Sequence, residues 1–379
     1  MTMNEFIPVN EPLLDGNEKK YLLECIDSGW VSSEGRFVEE FEKGLAAKVE
    51  RGYGVAVCNG SAALDVAVAA LEIGPGDEII LPTFTIISCA AAVIRSGAKP
   101  ILVDADPETW CIDANQIEKR ITRRTKAIMA VHTYGLPADM DPIIGLANKY
   151  GLMIIEDAAE AHGLQYKGHQ CGSFGDISVF SFYANKHITS GEGGMVLTND
   201  EKLADRCRSL RNLCFQSQKR FVHEELGWNY RMSNLQAAVG LAQLESLDAS
   251  VVRKRWMGHR YSELLRDVEE LRLPLPKTEY AENIYWVYGI LIGDDVAMDA
   301  SSVMQSLSRE GIGTRPFFWP MHQQPVFGNM GLFVGETYPT AETIARRGFY
   351  LPSGLALTEA TLEKVSEKVK ITMRATQRK

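Results

Sequence analysis

The chain has 379 residues, 45% of them hydrophobic and 23% charged. These are the proportions of a globular protein, and they exclude a disordered tail, a collagen-like repeat and a small disulfide scaffold. With 40 Lys and Arg against 49 Asp and Glu the net charge is −9, which excludes binding of nucleic acid through a general electrostatic field.

The length predicts two to three domains of ~150 residues each. No apolar run approaches the ~20 residues of a membrane span. Met1–Asn10 lacks a basic start followed by an apolar core, so no secretory signal is expected. The cysteines are Cys25, Cys58, Cys89, Cys111, Cys171, Cys207 and Cys214. Their odd number, and the lack of any CxxC pair, predict free thiols in a reducing cytoplasm.

In chain order, residues 56–59 are short and apolar. Residues 61–71 (SAALDVAVAAL) are Ala-rich and helical in character, with Ser61 available as a cap. Residues 78–82 read as a strand, 86–96 as a helix, 100–103 as a strand and 126–132 as another. A helix is expected near 141–150. Residues 152–157 (LMIIED) form an apolar run ending in two acids. Continuous apolar runs of this length suit strands buried on both faces of a largely parallel sheet covered by helices. Strands are also expected at 177–183 and 194–198, flanking a loop rich in Gly, Ser and Thr.

Beyond residue 235 the texture changes. Residues 236–267 read as one or two long helices and 271–280 as a connector. Residues 284–292 (IYWVYGILI) read as a strand, 300–310 as a helix and 357–374 as a charged amphipathic helix. No repeat of 20–50 residues is present. The expectation is a large α/β domain over 1–245, with the N-terminal segment included, and a smaller α+β domain over 246–379.

Three features carry chemistry. Lys186 lies between a strand and a Gly-rich loop, where α/β sheets bind ligands in the crevice at the strand ends. A desolvated lysine there loses its proton more readily and can form a Schiff base, although a single lysine is most often a solvated loop residue. Asp157 ends a buried strand and needs a partner. Either it faces a pyridinium nitrogen, which a carboxylate keeps protonated, or it caps a helix over 158–161. Asn59-Gly60-Ser61 joins a strand to a helix, where a glycine admits a ligand close to the backbone and the helix N-terminus favours phosphate. Many such turns bind nothing.

In this order and spacing, the three features resemble the fold-type I pyridoxal-phosphate enzymes. The text resembles the DegT/DnrJ/EryC1/StrS sugar aminotransferase family in CNGSAAL (58–64), GPGDEIILPTFT (74–85), KAIMAVHTYG (126–135), IIEDAAEAHG (154–163), GSFGDISVFSFYANKHITSGEGGM (172–195) and GWNYRMSNLQAAVGLAQLE (227–245). The resemblance implies an α/β fold with a mostly parallel sheet sandwiched by helices. It implies pyridoxal 5'-phosphate as cofactor, passing through the pyridoxamine form. It makes Lys186 the Schiff-base and proton-transfer residue and Asp157 the partner of the pyridine nitrogen. Glu160 falls near the ring oxygen, and Gly60, Ser61 and Ser181 at the phosphate. Asn229 falls where the family reaches the phosphate of a neighbouring subunit, which implies a homodimer with shared active sites. Where the family commonly places an aromatic ring over the cofactor this chain has Ile86, which offers dispersion contact in place of stacking.

Some relatives that remove a sugar hydroxyl carry histidine in place of the lysine. Here Lys186 is present and His187 is only its neighbour, so transamination is expected over dehydration. The implied substrates are L-glutamate and a nucleotide-linked keto-sugar. Residues 14–33 and 313–322 (GTRPFFWPMH) are most similar to the family members that aminate C4 of GDP-4-keto-6-deoxymannose to GDP-perosamine; UDP- and dTDP-linked sugars are the alternative. Arg315 suits a diphosphate or carboxylate and His322 a sugar hydroxyl or diphosphate oxygen, with Phe317, Phe318 and Trp319 as a wall. A packed aromatic turn with a structural arginine is the plainer alternative. Trp30 and Ser32 are candidate mouth residues. By the same resemblance an O-antigen or other surface-polysaccharide pathway is expected. A regulator built on this fold would carry a fused helix-turn-helix or lack the lysine. A nicotinamide enzyme would need GxGxxG where residues 59–64 read NGSAAL.

Overall fold

In the computed structural model, which describes residues 6–216 and 218–376, the apolar runs of the first two hundred residues become one seven-stranded sheet. Helices α1 (Glu18–Ser28) and α2 (Arg36–Lys48) precede β1 (Tyr53–Val57). Then follow α3 (Gly60–Ala70), β2 (Glu78–Pro82), α4 (Ile87–Arg95), β3 (Lys99–Val103), β4 (Thr125–Val131), α5 (Met140–Tyr150) and β5 (Met153–Asp157). A small hairpin, β6 (Gln165–Tyr166) and β7 (His169–Gln170), lies outside the sheet. β8 (Ile177–Ser181), β9 (Gly194–Thr198) and α6 (Glu201–Arg211) complete this part.

The sheet order is β1-β9-β8-β5-β4-β2-β3. β3, β2, β4, β5 and β8 are parallel neighbours, and β9 is antiparallel to both β1 and β8. Alternate side chains of a strand point to opposite faces. Accordingly Val55 and Val57 of β1 join the core cluster built with α3 and α4, while Ala56 joins the cluster built with α2, α5 and α7. Burial on both faces is why β2 and β9 read as unbroken apolar runs.

The remaining elements are α7 (Asn234–Glu245), α8 (Leu247–Leu265), β10 (Leu271–Arg272), β11 (Tyr288–Ile292), α9 (Ala300–Arg309), β12 (Arg315–Pro316), α10 (Pro325–Asn329), α11 (Pro339–Arg347), β13 (Gly348–Leu351) and α12 (Glu359–Thr376). The four strands form an antiparallel sheet ordered β10-β11-β13-β12. A third core cluster joins it to α8, α9 and α12.

The helical stretch from 236, expected as one or two helices, is two, α7 and α8, which meet at Ser246. Several local expectations change. The strand expected from 284 starts only at Tyr288, because Tyr285 adopts φ 48° and its N–H donates to Asn283 Oδ1 at 2.6 Å. The connector over 271–280 opens with the two-residue β10. Ser61 does not cap α3. Asn59 does, its side chain accepting from Ala62 N at 2.8 Å, an interaction worth about 1 kcal/mol. No described helix is long and apolar enough to cross a membrane.

Candidate active site

The strand polarity gathers the chemistry at one edge. Val57, Asp157 and Ser181 are the carboxyl ends of β1, β5 and β8. Gly194, the first residue of the antiparallel β9, pairs with both Val57 and Ser181. A cavity of 760 Å³ opens over this edge. Gly60, Ser61, Ile86, Asp157, Glu160, Ser181, Lys186 and Arg315, all singled out from the sequence, line it.

Lys186 sits in the turns after β8, its side chain 9% exposed. Its Nζ lies 3.7 Å from Glu160 Oε1 and 3.9 Å from the centre of the Trp286 ring. Burial lowers the lysine's pKa, against the pull of Glu160 and Asp157, and raises that of Glu160. Glu160 is oriented by Tyr134 N, which donates to its Oε2 at 2.9 Å.

Asp157 is buried, and burial raises its pKa. Its Oδ1 accepts from Ala159 N at 3.1 Å and its Oδ2 from Cys89 Sγ at 3.1 Å. Residues 158–161 form turns, so Asp157 caps no helix there. Among the described residues it makes no ion pair. A buried carboxylate held only by a thiol and one amide fits a cationic ligand atom.

The turn from β1 into α3 is pressed against the end of β8. A Cβ on Gly60 would stand 2.7 Å from Ser181 Cβ, and one on Gly194 2.5 Å from Asn59 O. Ser61 Oγ and Ser88 Oγ, at the starts of α3 and α4, are 2.7 Å apart. Two helix N-termini and paired hydroxyls thus meet at one point of the cavity wall, an arrangement that favours a phosphate. Amine, carboxylate and phosphate cradle together fit pyridoxal phosphate.

Other assignments land elsewhere. Asn229 is exposed and does not line the cavity; its Oδ1 accepts from Arg231 Nε at 3.0 Å. Trp30 and Ser32 are exposed and also lie off it, their carbonyls accepting from Asn234. His322 lies off it too, its Nδ1 2.9 Å from Thr83 Oγ1 and its Nε2 2.9 Å from Glu342 Oε1. Both nitrogens are thus engaged, and the ring bridges Thr83, just after β2, to Glu342 of α11. Of the aromatic wall, Phe318 faces the cavity. Phe317 is buried against Tyr134 and Trp110, and Trp319 is exposed. His187 is buried, with Nδ1 3.1 Å from His162 O.

Sequence reasoning missed Ser88, His132, Trp286 and Tyr350, all on the cavity wall. Ala138 N donates to His132 Nδ1 at 3.1 Å, which puts the ring proton on Nε2, 2.8 Å from Glu156 Oε1. Ser88, two residues after Ile86 in a helix-starting segment, carried the same signal as Ser61. Trp286 and Tyr350 lie a hundred or more residues beyond Lys186 in the chain, and no local pattern marks them.

Residues 12–370 match the DegT/DnrJ/EryC1/StrS aminotransferase family. The chain belongs to that family. GDP-perosamine synthase of Caulobacter vibrioides is 43% identical over 360 residues, covering 95% of this chain and 96% of that protein. GDP-perosamine synthase of Escherichia coli O157:H7 is 41% identical over 365 residues, covering 96% and 98%. Among solved structures, DesV of S. venezuelae in complex with a ketimine intermediate superposes with a TM-score of 0.87. It is 33% identical, and 94% of each chain is covered. This member of the DegT/DnrJ/EryC1/StrS aminotransferases shares their fold over nearly its whole length.

Proposed function

We propose that the chain is a pyridoxal-phosphate-dependent aminotransferase. It moves the amino group of L-glutamate to C4 of GDP-4-keto-6-deoxymannose, giving GDP-perosamine. The observation that carries the chemistry is the convergence of Lys186, Asp157 and the N-terminus of α3 on one cavity. The choice of nucleotide and sugar rests on the similarity to the two perosamine synthases.

When bound, pyridoxal phosphate supplies an aldehyde that condenses with amines and a ring that takes up the electrons of a breaking C–H bond. Lys186 Nζ anchors the cofactor. Once glutamate takes its place, the same Nζ accepts the proton from glutamate Cα, and in the second half-reaction it returns one to sugar C4. Its burial keeps it ready to shed a proton. Asp157 would hold a proton on the pyridine nitrogen of the bound cofactor, with Glu160 as the polar group for its ring oxygen. Gly60, Ser61 and Ser181 would hold its phosphate, and Ile86 would offer an apolar contact to its ring. Arg315, exposed on β12 at the rim, orients a planar oxyanion of the substrate.

The enzyme works as a cytoplasmic homodimer in which Asn229 of the partner subunit completes the phosphate site. The exposure of Asn229 away from its own cavity supports this. We place the division between the large and small domains at residues 245 and 246, where α7 gives way to α8. An O-antigen or related polysaccharide is the destination of the amino sugar.

The test is an assay of the purified chain with L-glutamate and a panel of GDP-, UDP- and dTDP-linked 4-keto-6-deoxy sugars. Glutamate should convert the cofactor to its amine form, and only the GDP-linked keto-mannose should restore it. Initial-rate plots should be parallel, since both half-reactions use one site. Restoration by a UDP- or dTDP-linked sugar instead would move the substrate assignment to that nucleotide. No cofactor absorbance in the purified protein would overturn the reading as a whole.

A further inference from the structure

The cavity holds a second line of contacts that the reaction scheme leaves unused. Lys254, in α8, is 2% exposed and, among the described residues, has no carboxylate beside it. Its Nζ donates to the carbonyls of Trp286, at 2.7 Å, and Ser353. Both acceptors belong to cavity-lining residues. Trp286 in turn donates from Nε1 to the carbonyl of Asn185 at 2.9 Å, one residue before Lys186. Its ring stacks on Tyr134 at 5.9 Å and turns a face to Lys186 Nζ at 3.9 Å. Glu160 Oε1 pairs with the same amine at 3.7 Å, longer than an ordinary hydrogen bond.

We propose that Trp286 is a positioning residue for Lys186: its indole face docks the amine whenever the lysine is free of cofactor, and the Lys254–Trp286–Asn185 hydrogen bonds hold that face in place. The inference rests on the reading of Lys186 as the cofactor-bearing residue. An aromatic face attracts an ammonium and not a neutral amine, most strongly where water is excluded. Trp286 therefore opposes the effect of burial on Lys186. It sets how much of the free amine is unprotonated and where that amine waits between the two halves of a reaction.

The titratable groups around Lys186 leave room for this control. Glu160 and Asp157 come from the end of β5 and the turn after it and favour the ammonium. Burial lowers the pKa of His162 to about 3 and that of His187 well below its usual value, so both are uncharged near neutrality. Tyr350 of β13 is pushed up to about 12, also by burial. Two carboxylates and one ring face thus stand against the effect of burial.

The test measures cofactor capture by the full chain freed of cofactor. The neutral Lys186 amine adds to the aldehyde carbon of pyridoxal phosphate. A carbon–nitrogen double bond forms and the aldehyde oxygen leaves as water, with no oxidant or reductant. The rate of this addition, read by absorbance across pH, has its midpoint at the pKa of the free lysine. Trp286→Leu should move the midpoint down by about one pH unit. Trp286→Phe keeps a ring face but loses the Nε1 donor, and should move it by less than half as much. Equal midpoints in the three proteins would overturn the proposal, even if the variants melt earlier. Equal shifts in Leu and Phe would also overturn it, by assigning the effect to the lost Nε1 hydrogen bond. If Trp286→Leu does not fold, Trp286→Met, which also removes the ring face, takes its place in the comparison with Trp286→Phe. Failure of the unaltered chain to bind cofactor at a lysine would instead sink the reading of Lys186.

Discussion

Cys89 Sγ donates to Asp157 Oδ2 at 3.1 Å, deep in the wall between α4 and β5. This thiol is one of only two donors, among the described residues, to a buried carboxylate that must carry a negative charge to serve a pyridine nitrogen. Burial pushes the Asp157 pKa up, and the Cys89 hydrogen bond acts in the opposite direction.

Cys89→Ala should therefore weaken cofactor binding about fivefold, the equivalent of one hydrogen bond of about 1 kcal/mol. Cys89→Ser, which restores a donor, should bind as the unaltered chain does. Fluorescence titration with pyridoxal phosphate measures both. Native affinity in the alanine variant would show that the thiol is only packing.

Gly60 has no room for a side chain. Its Cβ would stand 2.7 Å from Ser181 Cβ, so Gly60→Ala forces the β1–α3 turn away from β8. Overpacking of this kind costs about 1–3 kcal/mol. The loss should fall on cofactor affinity as well as on melting temperature, because the displaced turn carries the phosphate cradle. A variant that melts lower yet keeps its affinity would remove Gly60 from that cradle.

His322→Ala separates a clamp from a substrate contact. The side chain is 3% exposed and links Thr83 to Glu342. Its removal should cost about 1–3 kcal/mol of stability in urea unfolding, with KM for the keto-sugar changed less than about threefold. A large rise in KM at unchanged stability would return His322 to the substrate site.

Lys254 gives the protein a pH-dependent stability of predictable sign. Burial lowers its pKa to about 7 from 10.5. Below pH 7 the folded and unfolded chains both hold the proton. Between 7 and 10.5 the unfolded chain holds it and the folded chain does not, so stability rises with pH through that window. Near the middle of the window, unfolding should take up about one proton more in the unaltered chain than in Lys254→Met. Urea midpoints measured across pH would test this, and parallel curves for the two proteins would contradict it.

How much of this was legible depended on where the chemistry lies. Glu78–Pro82 and Gly194–Thr198 were readable as strands to the residue because both are buried on two faces and bounded by turns. Lys186 and Asp157 stood out because strand ends and Gly-rich loops mark them locally, and their distance in sequence closes in the fold. Trp286 did not, since its role is set by Lys186 and Lys254, which the tertiary fold brings to it. His322 lies in a segment dense with aromatic residues that suggested a substrate wall; only the partners Thr83 and Glu342 reveal a clamp. Tyr285 broke an apolar run through its backbone conformation, which periodicity does not report.

Among the described residues two buried lysines have lowered pKa values, and their surroundings differ. Lys186 opens on the cavity beside Asp157 and Glu160, while Lys254 is committed to two carbonyls. The most direct measurement is borohydride reduction of the cofactor-loaded protein, followed by digestion and mass analysis of the labelled peptide. The account predicts the label on Lys186 and its loss in Lys186→Ala. A label on Lys254, or a labelled Lys186→Ala variant, would contradict it.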